Sequence, residues 1–287
     1  MTTWTREQVL AVVRRSPELV GVHDRAGWLA LFDDGAVVED PVGSRPVRKG
    51  AGVDAKGDDE LARFYDTFIA PNEIRFEIAD DFVVGLDTAR DARIHTKVPG
   101  GFEIVVPAYL LYQLVERDGE LRVRRMAAHW NVRRLVRKAL GSGWRGWPAM
   151  TRFGGRIVGT QGWGGIGSYL QAFRKGVFAR GLRVLERFAE AYGAGDGAGL
   201  NSMFVDDGPR VILPDAVAVA PGELPGAFGG GSFGVEAPTA AGWTASCRYV
   251  LSGGVRAGRG IALFEFDAAT RRLSGVRLFG ESVGPGG

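Results

Sequence analysis

The sequence predicts an α+β protein made of two similar bodies joined by a basic segment. Three observations carry this. Residues 4–132 pass from helical to strand-like periodicity, the same order returns more loosely after residue 173, and the stretch between them is rich in Gly, Trp and Arg. At 287 residues the chain is about two domains long. With 45% hydrophobic and 24% charged residues it has the composition of a globular protein. The expected bounds are 1–132, a linker over 133–172, and 173–287.

In the first body, Val9, Leu10 and Val13 recur at helical spacing, as do Trp28, Leu31 and Phe32, with Asp24 placed to cap the second stretch. Ser16-Pro17 is expected to kink the chain between these two helices. Ala36 to Glu39 reads as a short strand, and Leu61, Phe64, Tyr65 and Phe68 restore a helical period. Five strand-like runs follow, 74–78, 82–86, 92–98, 102–114 and 121–130, separated by Gly, Asp or Pro signals that include Asp118-Gly119. Helices followed by an antiparallel meander make an α+β domain. A sheet bent around a helix encloses an apolar cavity, which Phe82, Tyr109, Met126 and Trp130 are placed to line.

The second body repeats the plan. Phe178, Leu182, Leu185, Phe188 and Tyr192 keep helical spacing, Asp196 is placed as a cap, and strands are expected at 211–213, 243–251, 259–266 and 273–279. Phe32-Asp33-Asp34 and Phe204-Val205-Asp206-Asp207 occupy the same place in the two halves. A tandem duplication explains both.

Charge is unevenly distributed. The net value is +3, yet residues 131–185 hold eleven Lys or Arg and no Asp or Glu, leaving the remainder acidic. Arg133, Arg134, Arg137 and Lys138 with Trp144 and Trp147 have the make-up of a contact with an anionic membrane surface, each cation adding about 1 kcal/mol. A solvated linker whose arginines pair with the acidic bodies is the alternative. No run is long and apolar enough to span a bilayer, and the first residues lack the apolar core of a signal peptide. Lone Cys247 suits a reducing compartment and a buried position. The expected location is cytoplasmic, with peripheral association at the inner face of the membrane. No nucleic-acid module is recognisable.

Several sharp-looking signals carry little. Gly141 to Gly146 and Gly162 to Gly167 fit G-x-G-x-x-G, but 44 glycines make such matches common, and no strand leads into either. Gly230 to Gly234 fits G-x-S-x-G, yet His23, His95 and His129 all precede that serine, the wrong order for a hydrolase. The histidines have no metal-ligand spacing, so neither metal nor cofactor is expected. His129 is a candidate acid or base, or simply a buried structural ring.

Leu31 to Pro46, above all Val38-Glu39-Asp40-Pro41-Val42-Gly43-Ser44, resembles the active-site strand of bacterial ketosteroid isomerases in the NTF2-like (SnoaL-like) superfamily. Phe64-Tyr65 and Val105-Val106-Pro107 are similar to further family positions, and the likeness covers most of residues 5–132. Leu278 to Glu281 extends a weaker likeness into the second body. The resemblance implies two cone folds, helices packed on a strongly curved antiparallel sheet. It also implies a carboxylate base that moves a proton beside a ketone, with neutral donors holding the enolate oxygen.

Carried over by residue, Asp40 is the base and Tyr65 supports the hydrogen bonds. Ser16 stands where the family has a donor tyrosine, and Tyr109, after Pro107-Ala108, is the phenol expected to replace the second donor. Phe32, Val38, Phe64, Phe82, Met126, His129 and Trp130 are expected to line the ligand site. Asp before Pro is also a common turn former, and either phenol is also an ordinary core aromatic. The reading is thus an isomerase with altered donors acting on a steroid or other hydrophobic ketone. The alternative is a non-catalytic carrier of a lipid, sterol or polyketide-like molecule. In the second body the aligned Asp207 to Pro214 lacks the base, which leaves a lid, a pseudo-dimer partner or an apolar pocket as its role; a homodimer is the other way to supply a partner.

Overall fold

The computed structural model describes residues 4–99, 102–133, 171, 173–206, 210–255 and 257–281. Two compact units are present, Met1–Asp81 with Leu86–Arg174, and Lys175–Gly287 with Phe82–Gly85. The expected linker lies almost wholly outside the described residues.

Helix α1 (Arg6–Gly21) starts at Thr5 in a reciprocal cap, in which the Gln8 amide donates to the Thr5 hydroxyl and the Gln8 side chain accepts from the Thr5 backbone. Such a cap contributes about 1 kcal/mol. Val9, Leu10, Val13 and Val20 form its buried stripe. The expected break at Ser16-Pro17 does not occur, since α1 runs through Pro17 and ends a turn later at Gly21. Packing of the apolar stripe outweighs the one lost backbone donor. The bend instead falls before α2 (Arg25–Ala30), whose cap is Asp24 accepting from the Gly27 amide at 2.8 Å.

Strands β1 (Phe32–Glu39) and β2 (Val47–Arg48) precede α3 (Glu60–Phe64), which is capped by Asp59 and continues as a π-turn over Tyr65–Ile69. Then come β3 (Glu73–Val84), β4 (Asp87–Val98), β5 (Phe102–Arg117) and β6 (Glu120–His129). The runs expected at 74–78 and 82–86 are one long strand. Asp118 and Gly119 both take positive φ, as the two-residue turn joining β5 to β6 requires. The sheet order is β2-β1-β6-β5-β4-β3, with β1 parallel to β6. Pro107, which has no amide to donate, lies where β5 pairs with β4 but has not yet met β6.

The second unit opens with the helix Phe178–Gly193 and a short helix, Gly197–Ser202, capped by Asp196 accepting from Gly199. Strands β7 (Val211–Ile212), β8 (Ala218–Val219), β9 (Ser232–Ala241), β10 (Thr244–Ser252), β11 (Gly258–Phe266) and β12 (Leu273–Gly280) follow. Their order is β8-β7-β12-β11-β10-β9, with β7 parallel to β12. Position for position this is the order of the first sheet, so the tandem α+β layout is present. Cys247 is buried in the core of this unit.

Candidate active site

Strand register determines which side chains can meet. Val38 on β1 lies beside Met126 on β6, and Met126 lies opposite Tyr112 on β5, so the three share one face. That face is the one α1 covers, because the Tyr112 hydroxyl reaches Ser16 Oγ at 3.5 Å. Alternation beyond Val38 and Ala128 brings Asp40 and Trp130 to the same side. They meet there: the Trp130 indole N–H donates to Asp40 Oδ1 at 2.6 Å.

Burial pushes the Asp40 carboxyl up to about 6, and the indole donor opposes that rise. A carboxylate needs water or donors to hold its charge. A pKa near 6 leaves Asp40 mostly ionised at neutral pH while keeping it basic enough to accept a proton from carbon. Desolvation also raises Tyr112, with Arg90 and the Ser16 hydrogen bond acting to lower it. A neutral phenol at pH 7 is a hydrogen-bond donor.

Aromatic rings gather at Ser16, the acceptor of the Tyr112 hydroxyl. Trp28 donates from its indole to Ser16 Oγ at 3.3 Å and lies 4.6 Å from Phe32, 5.5 Å from Tyr65 and 6.4 Å from Phe64, centroid to centroid. The Tyr65 hydroxyl is buried with no hydrogen-bond partner, and burial raises its pKa. A buried phenol without a partner costs about 1–3 kcal/mol, a cost that a ligand oxygen would relieve. Ser16, Trp28, Tyr65, Tyr112, Trp130 and Asp40 thus supply donors and one base to a largely apolar site.

Of the sequence-predicted residues, the structure brings together Asp40, Trp130, Val38 and Met126, and it places Phe32, Phe64 and Tyr65 around Trp28. Three others lie elsewhere. Tyr109 pairs with His129 and, three residues from Tyr112, points to the opposite face of β5. That face carries Arg125, bonded to Glu39 and Gln113, so Tyr109 is not the phenol beside Asp40. His129 shares the Tyr109 face, and burial, reinforced by the Arg125 charge, lowers its pKa to about 3. It is neutral at pH 7 and not an acid for this site. Phe82 follows Asp81 on β3, and since Asp81 meets Arg90 on the Tyr112 face, alternation turns Phe82 to the opposite one.

Sequence reading missed Tyr112, Trp28 and the role of Ser16 as their shared acceptor. The missing signal was register, because Tyr109 and Tyr112 sit on one strand and differ only in parity. Of the basic cluster, Arg133 donates from Nε to the Phe173 carbonyl at 2.8 Å and lies over the Phe173 ring. Arg134, Arg137, Lys138, Trp144 and Trp147 lie outside the described residues. Among those described, no helix is long and apolar enough to cross a membrane.

Residues 13–126 match the SnoaL-like domain family. A Δ5-3-ketosteroid isomerase from Mycobacterium sp. is similar at 32% identity, over 43% of this chain and 93% of that one, with a TM-score of 0.35. RV0760c from Mycobacterium tuberculosis, solved in complex with estradiol-17beta-hemisuccinate, is similar at 28% identity over 44% and 95%, TM-score 0.35. A computationally designed 17-OHP binder is similar at 24% identity over 44% and 94%, TM-score 0.36. No curated protein matches the sequence. Through residues 13–126, the part that also carries the Asp40 strand, this chain belongs to the SnoaL-like family.

Proposed function

We propose that the first unit binds a rigid, apolar ketone of the steroid class and moves its double bond into conjugation, with Asp40 as the proton carrier. The observation that carries this is the Asp40 carboxylate, held by Trp130 on the face shared with Tyr112 and raised to about 6 by burial. Asp40 takes a proton from the carbon between the carbonyl and the alkene, and the electron pair moves onto the carbonyl oxygen. The Tyr112 hydroxyl, with Ser16 and Tyr65 nearby, donates to that oxygen while it is negative. Asp40 then returns the same proton two carbons away, so no atom is gained or lost.

Conversion of a β,γ-unsaturated steroid ketone to its conjugated isomer, followed by absorbance, tests this. Asp40→Asn should lower the rate by about 10²–10⁴ while leaving ligand binding intact. Wild-type turnover in that variant would end the proposal.

A carrier without turnover is the second reading. It is favoured by the hydrogen bonds that Trp28 and Tyr112 direct to Ser16, which occupy the donors in the free protein. Mass spectrometry of molecules that co-purify separates the two readings, since a carrier retains a lipid or sterol through purification. The basic Trp-bearing segment would then be tested by sedimentation with anionic vesicles, with salt expected to weaken binding.

A further inference from the structure

The polar side chains on the α1 side of the first sheet form a row. Asp40 follows β1, Trp130 follows β6, Tyr112 is on β5, Arg90 is on β4 and Asp81 is on β3. Arg90 and Asp81 have no part in the proton transfer above. Register places Thr88 opposite Tyr112, so Arg90, two residues on, emerges on the same face.

Arg90 is 1% exposed and donates from Nε and Nη2 to the two oxygens of Asp81 at 2.7 and 2.9 Å. Its Nη1 is buried with no hydrogen-bond partner. The guanidinium carbon lies 5.9 Å from the centroid of the Tyr112 ring. An arginine cannot shed its charge when buried, and a fully buried ion pair is often no more stable than an apolar pair of the same volume. A buried cation with an idle N–H therefore requires an explanation other than packing. The order of the strands supplies one, because the guanidinium stands between Tyr112 and Asp81, with its compensating carboxylate on the far side. Tyr112 faces the positive member of the pair. A positive charge at the ring strengthens the hydroxyl as a donor, and does so most when the acceptor oxygen carries negative charge.

Resting on the reading of Tyr112 as the donor to the ligand oxygen, we propose that Arg90 is a positioning residue that biases this site toward ligands whose buried oxygen can take on negative charge. Enolisable ketones and phenols fit; alcohols and ethers of the same shape fit less well. Arg90 acts through Tyr112 and does not touch the ligand.

Ring-substituted phenols of graded acidity, titrated calorimetrically at a pH where all are protonated in water, provide the test. Affinity for the wild-type protein should climb with probe acidity. The paired substitution Arg90→Met with Asp81→Asn removes both charges together and should flatten that climb. Its affinity for the most acidic probe should fall about tenfold, the scale of one desolvated cation–π contact, with the least acidic probe little changed. Tyr112→Phe, with Arg90 intact, should flatten the climb equally and serves if the paired variant fails to fold. Uniform weakening across the series in both variants, or a climb that survives in either, would overturn the proposal. If no probe binds the wild-type protein, the ligand site itself is refuted, and this inference with it.

Discussion

The Asp40 carboxyl binds its proton more tightly in the folded chain than in the unfolded one, because burial penalises the anion more than the Trp130 donor relieves it. Between about pH 4 and 6 the folded state therefore holds more proton than the unfolded state. Stability falls as pH rises through that window and stays lower above it. Asp40→Asn, whose side-chain oxygen can still accept from Trp130, should be more stable than wild type above pH 7, by on the order of 1–3 kcal/mol. The gain should vanish below about pH 4, where both forms are uncharged. Denaturant unfolding at the two pH values measures this, and equal stabilities at neutral pH would mean the carboxylate is well solvated.

Trp130→Phe acts on the same group in the opposite sense, since it removes the donor that favours the anion. The acid limb of kcat/KM, expected near 6, should move to higher pH, and an unmoved limb would assign it to another group. Asp40 was legible as the candidate base because a whole segment, Val38 to Ser44, frames it. Its indole partner was legible only as a lining residue, since 90 positions separate the two.

At the scale of elements, one irregularity determines which phenol shares the face of Asp40. Counted outward from the pair Arg117–Glu120 at the Asp118-Gly119 turn, Met126 would lie opposite Leu111, and Tyr112 would face away. A bulge between Gln113 and Leu114 shifts the register, so Met126 meets Tyr112 instead. The burial of β6 records the change: Leu121 and Val123 are inward before the bulge, and Met126 and Ala128 after it. Nothing in the residues themselves marks the bulge, which is why alternation alone could not choose between Tyr109 and Tyr112. Caps and turns were legible because their chemistry is local, as with Asp24, Asp196 and Asp118-Gly119.

In the second sheet, close packing replaces polar chemistry. A Cβ at Gly260 would collide with the Phe279 carbonyl, and one at Gly280 with the Tyr249 hydroxyl. The first contact is with backbone of the paired strand β12, which has no room to retreat, and the second is with a side chain reaching across β11 from β10. Gly260→Ala should destabilise the second unit by at least about 2 kcal/mol, the range for overpacking a tight core. A thermal melt that resolves the two units would show its transition alone moving down.

For the whole molecule, the repeat that the sequence displayed is a repeat of fold and not of site. Ser16 lies eight residues before the cap Asp24, and Phe188 lies eight before the cap Asp196. Ser16 accepts hydrogen bonds from Trp28 and Tyr112, whereas Phe188 at the corresponding position packs among rings. Its ring lies 5.1 Å from Phe264 and 5.5 Å from Phe233, both edge-on, and Phe233 stacks on Tyr249 at 5.3 Å. Leu185, Leu200, Phe204, Val276 and Leu278 close the same cluster. Phe204 bridges Leu273 and Val211 pairs with Val276 as Phe32 and Val38 pair with Val123 and Met126, so the buried Leu213, two residues after Val211, is apolar where Asp40 stands. Among the described residues, the helical face of this sheet carries packed aromatic and aliphatic side chains where the first unit carries Ser16, Tyr112 and Asp40. The chain should therefore bind one steroid and not two. Calorimetric titration with a steroid ketone should give a stoichiometry near one per chain. Trp28→Ala, which removes the wall shared by Phe32, Phe64 and Tyr65, should abolish that heat, whereas Phe188→Ala should leave it intact while costing about 3–5 kcal/mol of stability in the second unit. Two equivalent sites, or loss of binding in a folded Phe188→Ala protein, would mean that the second unit holds ligand after all.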